Sequence, residues 1–310
     1  MKLSIIIVSW NVKDYLSGCL ISLGRANGLR LGQDMEVIVV DNASTDGTPE
    51  LVTRAFPRVR LVCNTLNRGF AAANNQGIAM ASGRYLLLLN PDTEVVADAL
   101  VTMEDYFDGN PDVGVLGPQL LNSDGSIQSS RRRDPTLATL FVESTILQRY
   151  LGWLPLLRRY YCLDRPDNVI QEVDWLVGAA IMVRREAVAQ VGPLREEMFM
   201  YFEEVDWCCR MRDKGWHIIY LPEAKVYHHD GRSSIQDVAS RDIRFHSSKI
   251  KFVRSYHGDL VARLLRWFLL ATYLFQIGEE GFKLALRHKP EMRRRRLQRL
   301  FQVMATGLRA

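Results

Sequence analysis

The sequence is as informative in what it lacks as in what it holds. Five cysteines (Cys19, Cys63, Cys162, Cys208 and Cys209) form no CxxC pair and no Cys/His ligand spacing, which argues against a zinc knuckle or a disulfide framework and fits a reducing compartment. No GxGxxG follows the first apolar run, where Ser9-Trp10-Asn11-Val12 stands instead, so a dinucleotide fold is not expected. A Walker A sequence is missing as well, which removes the P-loop NTPases. Ile5 to Val8 is too short and too poorly flanked for a secretory leader, so the catalytic part is expected in the cytosol.

Charge of one sign is also scarce where it would balance the chain. Residues 241 to 310 hold sixteen Lys and Arg against five Asp and Glu, whereas residues 1 to 240 hold twenty-four against thirty. The net charge of +5 therefore belongs to the C-terminal part. With 47% hydrophobic and 24% charged residues, the 310-residue chain has ordinary globular composition and enough length for a large α/β core.

What is present begins with GRYLLLLNPDTEV (Gly83 to Val95), a short apolar run that ends in a turn carrying a carboxylate. Tyr85 to Leu89 suits a strand buried on both faces, and Asn90-Pro91 stops it. Asp92 then falls just past the carboxyl end of a strand, where open α/β sheets place ligands.

The same pattern recurs before it. Strands are expected at Leu3 to Val8, Glu36 to Val40 and Val59 to Cys63, and helices from Asp14, after Asp46 and over Arg68 to Ala81. This βαβ alternation predicts a mostly parallel sheet with right-handed crossovers. Ser9-Trp10-Asn11, Asp41-Asn42, Asn64 to Gly69 and Asn90 to Asp92 each follow a strand, so all four gather on one edge as a nucleotide or phosphate site. A helix at Ala97 to Phe107 and a strand at Val113 to Leu116 extend the series.

Residues 120 to 170 are less regular. They carry Arg131-Arg132-Arg133 and LQRYLGWLPLLRRYY (Leu147 to Tyr161), which reads either as a membrane-facing lip or as a packed insertion. Val173 to Val183 reads as a buried strand whose small residues around Gly178 allow close approach beneath a substrate. At Met198 to Arg212, Glu203, Glu204 and Asp206 open a helical pattern, an arrangement that either catalysis or the helix dipole favours. Trp216 to Leu221 and Lys225 to Tyr227 read as closing strands that lead into His228-His229-Asp230-Gly231, a candidate ligand site.

In order and spacing, SIIIVSWN, VVDNASTDGT, NRGFAAANNQG, LLLNPDTEV, DWLVGAA, MYFEEVDWCCR and HHDGRSS resemble family 2 glycosyltransferases of the GT-A fold, in the branch of bacterial rhamnosyltransferases. The resemblance covers about residues 1 to 235, with a donor half to about 118 and an acceptor half beyond. It implies that Ser9, Trp10, Asn11, Asp41, Asn42, Asn67, Arg68, Gly69, Asn74, Asn90 and Asp92 bind a nucleotide-sugar, dTDP- or UDP-linked. Asn90-Pro91-Asp92 occupies the family's Asp-x-Asp place, with Asn90 replacing its first acid. Asp92 and His228 would hold Mg²⁺ or Mn²⁺, which a departing diphosphate requires. Glu204 matches the catalytic base, usually an Asp in the family, with Glu203 in reserve. Asp206, Asp174, Trp175 and Gly178 fall on the acceptor side, and Asp206 would orient the acceptor hydroxyl.

Residues 236 to 310 are expected to be helical. Leu260 to Ile277 is apolar, but Arg263 and Arg266 interrupt it and leave only Trp267 to Ile277 uncharged, shorter than the ~20 residues a span needs. With Arg293 to Arg296 following, the region reads as a basic amphipathic anchor on anionic lipid, as a solvated charged tail, or as a helix pair on a second subunit. No nucleic-acid-binding fold surrounds these basic residues, so nucleic acid is not an expected partner. The expectation is an inverting, metal-dependent transferase that moves a sugar, rhamnose in that branch, onto a lipid-linked glycan at the inner membrane face. The alternative is an assembly protein that binds a nucleotide-sugar without transferring it.

Overall fold

A computed structural model describes residues 1–26, 28, 31–229 and 238–309. Its strands are β1 (Leu3–Ser9), β2 (Met35–Asp41), β3 (Arg60–Cys63), β4 (Tyr85–Leu89), β5 (Thr93–Val95), β6 (Val113–Leu121), β7 (Ile127–Gln128), β8 (Arg131–Arg132), β9 (Gln171–Glu172), β10 (Trp175–Leu176), β11 (Ala180–Arg184) and β12 (His217–His228). The helices are α1 (Lys13–Gly24), α2 (Thr48–Ala55), α3 (Phe70–Met80), α4 (Ala99–Gly109), α5 (Leu137–Val142), α6 (Ile146–Leu151), α7 (Pro155–Tyr160), α8 (Arg185–Val191), α9 (Glu203–Arg212), α10 (Val238–Ala285) and α11 (Pro290–Thr306).

Two compact units share the chain. The first comprises Met1–Arg133, Tyr161–Phe199 and Glu203–Ser233. Its sheet runs β3-β2-β1-β4-β11-β6-β12-β5. From β3 to β4 the strands are parallel, as the βαβ alternation requires, and β12 lies parallel to β6. β11 departs from that pattern, running antiparallel to β4 and β6. Every residue of β1, β2 and β4 is buried, which explains why these strands read as unbroken apolar runs rather than alternations. The closing segments expected at Trp216 to Leu221 and Lys225 to Tyr227 form one strand, β12, with its register shifted between Leu221 and Lys225. Val173 to Val183 is divided in the opposite sense, into β10 and β11 with Gly178 in the turn between them.

The second unit comprises Asp134–Tyr160, Met200–Phe202 and Ser234–Ala310. The boundary expected at 235 lies outside the described residues, as do Asp230 and Gly231. Gly258, at φ 84, interrupts α10, because an L side chain would disfavour that backbone. Lys249 is fully buried, and its Nζ donates to the Glu143 carbonyl at 2.7 Å and carboxylate at 3.0 Å, joining the end of α5 to α10. Tyr201 and Phe202 take left-handed φ of 71 and 67, at ~1–3 kcal/mol each. Their rings pack on Phe245, and Phe202 also meets Phe252.

Candidate active site

The register of the sheet gathers the polar clusters. Ser9 pairs with Asp41 at the ends of β1 and β2, two residues beyond the Ile7–Leu89 pairing. Ala180 pairs with Leu89, so the turn before β11 opens beside the turn after β4. His228 pairs with Thr93, which brings the end of β12 to Asp92.

On the expected donor side, Asn11 takes a left-handed φ of 52, and its Oδ1 accepts from the Thr45 N–H at 2.8 Å. The Asn11 N–H donates to Ser44 Oγ at 2.9 Å, so the loops after β1 and β2 are knitted together. Asp41 is buried. Its Oδ2 accepts from the Ser44 N–H, while Oδ1 and the nearby Ser9 Oγ are buried without a partner among the described residues. Buried polar atoms are normally satisfied, so an orphaned pair at a sheet edge marks where ligand hydroxyls or ring nitrogens can bind.

Asn42 acts as a hub. Its Nδ2 donates to Asn67 Oδ1 at 3.2 Å and to the Gly69 carbonyl at 3.1 Å, and its Oδ1 accepts from Asn64 Nδ2 and the Arg68 N–H. The Arg68 side chain is left exposed at the loop surface. Gly69 sits at φ 87, and a Cβ there would lie 2.6 Å from the Phe199 carbonyl. Asn74 is buried and donates to the Phe70 carbonyl of its own helix. Trp10 is half-buried beside Ser9.

Asp92 and His228 are both buried, with Asp92 Oδ1 and His228 Nε2 3.4 Å apart. Asn90 Nδ2 lies 3.4 Å from the same nitrogen, and the opposite nitrogen, Nδ1, is 2.7 Å from Gln128 Oε1. A buried carboxylate facing an imidazole nitrogen whose partner nitrogen is already engaged is a donor set suited to a divalent cation. Among the described residues no third His, Cys, Asp or Glu joins them, so diphosphate oxygens and water would have to complete the shell.

The acidic cluster separates into three different environments. Glu204 carries its carboxyl at the start of α9, where it accepts from the Gly178 N–H and from the N–H groups of Glu204 and Val205, near the Arg132 guanidinium. Burial raises it to about 7 despite these donors. Its Oε2 is out of solvent and has no hydrogen-bond partner among the described residues. Glu203 is also buried, and burial together with the adjacent Glu204 charge raises its carboxyl well above the ordinary range.

Asp206 is fully buried, with Oδ2 2.8 Å from Arg210 Nε and Oδ1 3.4 Å from Arg195 Nη1. Asp174 lies 3.3 Å from Arg133 and 3.8 Å from Arg212. The buried Trp175 donates from Nε1 to the Arg133 carbonyl at 3.1 Å. Arg132 stands over the rings of Tyr161 and Trp175, a position that the triple-arginine run alone did not reveal. Gln128, too, carried no signal in the sequence.

Comparison with known proteins identifies the family. Residues 4–192 match the family described as glycosyl transferase family 2. The chain is 31% identical over 278 residues to an N-acetylglucosaminyl-diphospho-decaprenol L-rhamnosyltransferase of Mycobacterium tuberculosis, covering 86% of this chain and 89% of the relative. Among solved structures it is similar to a Pyrobaculum calidifontis mannosyltransferase in complex with GDP-Man and Mn²⁺, at TM-score 0.59 and 18% identity, covering 99% of this chain and 87% of the other. It is also similar to Staphylococcus aureus TarS, at TM-score 0.54 and 16% identity, covering 88% of this chain and 43% of the other. The chain belongs to glycosyl transferase family 2, built on the GT-A fold.

Proposed function

We propose that this glycosyltransferase moves rhamnose from its deoxythymidine diphosphate, with inversion, onto a hydroxyl of an N-acetylglucosaminyl-diphospho-polyprenol at the cytoplasmic membrane face. The observation that carries the substrate assignment is the likeness to the mycobacterial rhamnosyltransferase along nearly the whole of both chains. The product in this reading is a lipid-linked intermediate of a cell-surface polysaccharide.

In this reading Ser9 and Asp41 hold the base and ribose, and the Asn67-Arg68-Gly69 loop lines the diphosphate. Asp92 and His228 hold the Mg²⁺ or Mn²⁺ ion, which when bound neutralises charge on the departing diphosphate. Glu204 is the base. Its unpartnered Oε2 accepts the acceptor hydroxyl's proton as that oxygen bonds to the anomeric carbon and the carbon–diphosphate oxygen bond breaks. A single displacement on the opposite face inverts the anomeric centre. Burial and the adjacent Glu204 charge raise the Glu203 carboxyl well above the ordinary carboxylate range. Asp174 and Trp175 frame the acceptor sugar.

The second unit docks on the membrane in this reading. α10 contains a segment that is long and apolar enough to span by length and composition. Its apolar residues are two-sided, however. Ala262, Leu265 and Leu269 are fully buried, whereas Leu264, Trp267 and Phe275 are 55%, 65% and 60% exposed. A helix with one face packed on protein and the other bare suits the interface plane rather than a span. Arg293 is withdrawn from the expected basic run, being buried against Glu280 at 2.7 Å, while Arg294 and Arg295 stay exposed for anionic headgroups.

Incubating the full chain with dTDP-rhamnose and N-acetylglucosaminyl-diphospho-polyprenol should release dTDP and add one deoxyhexose mass to the lipid. Release with a different nucleotide-sugar and none with dTDP-rhamnose would refute the donor assignment. Donor binding without transfer to any of a panel of acceptors would instead favour an assembly protein.

A further inference from the structure

The turn between β6 and β7 closes a sheet edge, yet its side chains form a chain of hydrogen bonds with only one possible direction. Gln128 Oε1 lies 2.7 Å from His228 Nδ1. The other end of that amide is committed, because Gln128 Nε2 donates to Asn122 Oδ1 at 3.0 Å. Asn122 is fixed in turn, with its Nδ2 donating to Ser126 Oγ at 2.9 Å. The Ser126 hydroxyl donates onward to Asp124 Oδ1 at 2.5 Å. An ionised carboxylate only accepts. Asp124 is ionised through the neutral range, since the Ser126 hydroxyl and N–H hold its carboxyl below the ordinary value.

Reading back from Asp124, each amide has its orientation set by the next group, and the last acceptor in the series is Gln128 Oε1. The proton of a neutral His228 must therefore sit on Nδ1, leaving a lone pair on Nε2. The placement of Asn90 is consistent with the same arrangement. Its Nδ2 can only donate, and it lies 3.4 Å from His228 Nε2.

This assignment runs against what the Asp92–His228 pair would do by itself. Asp92 Oδ1 is 3.4 Å from Nε2, and a proton on that nitrogen would be attracted to the carboxylate. The two groups would then satisfy each other and present nothing to a cation. Holding the proton on Nδ1 leaves two electron-rich groups facing one another, an arrangement that a divalent cation resolves.

We propose that the Asn122–Gln128 hairpin is a tautomer-setting relay for His228, and that Gln128 is a positioning residue for divalent-cation binding at Asp92 and His228. The positioning role rests on the cation reading of that pair, whereas the tautomer does not. Asn122, Asp124 and Ser126 act through Gln128.

Two readouts on the full chain test this. Long-range ¹H–¹⁵N correlation on histidine-labelled protein reports the tautomer, and titration of Mn²⁺ in the presence of saturating dTDP, followed by electron paramagnetic resonance, reports affinity. The wild-type chain should show His228 protonated on Nδ1. Gln128→Leu should move the proton to Nε2 and weaken Mn²⁺ binding by about 10–100-fold. Gln128→Glu keeps an acceptor facing Nδ1 and should retain both the tautomer and the affinity, which separates lost positioning from lost folding. A Gln128→Leu chain that keeps the Nδ1 proton and wild-type affinity would overturn the proposal. A wild-type chain with the expected tautomer but no Mn²⁺ binding would overturn both the cation reading and the positioning role, leaving the hairpin as a tautomer relay alone.

Discussion

Glu203 and Glu204 are chemically identical neighbours, and what separates them is how many donors each meets. Glu204 has the Gly178 N–H, its own helix N-terminus and Arg132 nearby, so its carboxyl is raised by burial only to about 7. Glu203 is raised well above the ordinary carboxyl range because burial and the adjacent Glu204 charge both act against its ionisation. A base must be ionised to accept a proton, so kcat/KM should rise with pH to a midpoint near 7 and fall about tenfold per unit below it. Glu204→Gln should abolish that dependence and most of the rate, measured at saturating acceptor. The same shift predicts the sign of a stability effect. The folded chain binds the Glu204 proton more tightly than the unfolded chain, so wild-type stability is lost as pH rises from 4.5 to about 7. Relative to wild type, Glu204→Gln should therefore gain stability across that window in denaturant titrations. Three acids in one turn carry no ranking of their own, and only the family resemblance put Glu204 first, because burial and pairing come from distant residues. Asp206 is the plainest case, since the ordering of Arg195 against it depends on the tertiary fold. Removing that buried partner in Asp206→Ala should cost about 3–5 kcal/mol in unfolding experiments.

At the scale of elements, strand positions were legible and strand directions were not. The four strands read from β1 to β4 coincide with the structure within two residues, because short apolar runs bounded by Gly, Pro and Asn have few other uses. Nothing in an apolar run reports its polarity, so the antiparallel insertion of β11 between β4 and β6 is a finding of the structure. That insertion matters for chemistry, because it sets the Gly178 turn against the α9 terminus and the Glu204 carboxyl. The short β5 was also invisible, being only three residues long, yet its pairing with β12 delivers His228 to Asp92. Gly69 shows how tightly the loop before α3 is set. Gly69→Ala would combine left-handed φ with a 2.6 Å approach to the Phe199 carbonyl, whose oxygen also accepts from the Phe70 N–H at 2.7 Å. The expected result is at least ~1–3 kcal/mol of lost stability. Weaker binding of a nucleoside diphosphate should accompany it, readable by calorimetry, because the loop can no longer hold its shape.

For the whole molecule, the decisive asymmetry is that the net positive charge lies in the C-terminal region, which also carries the bare apolar face of α10. Charge and apolar area act over different distances. Basic side chains attract anionic lipid with a range set by salt, whereas Leu264, Trp267 and Phe275 can contribute only on insertion. The sequence showed the charge and the apolar run but not which residues face outward, since Leu265 and Leu269 are as apolar as Leu264 and are buried. Deleting the tail would remove those buried residues too and confuse docking with folding. Substitution on the exposed face avoids this. Leu264→Glu with Phe275→Glu should leave the helical signal and unfolding midpoint close to wild type. Vesicle partitioning should fall by at least about tenfold, given ~1.5–3 kcal/mol for each fully buried large apolar side chain. Flotation with phosphatidylglycerol vesicles measures it, and the wild-type chain should bind more weakly as salt rises and poorly to neutral vesicles. If the double variant floats as the wild type does, the face is not a lipid surface. If instead it turns a dimer into a monomer without changing flotation, a second copy of the chain covers the stripe.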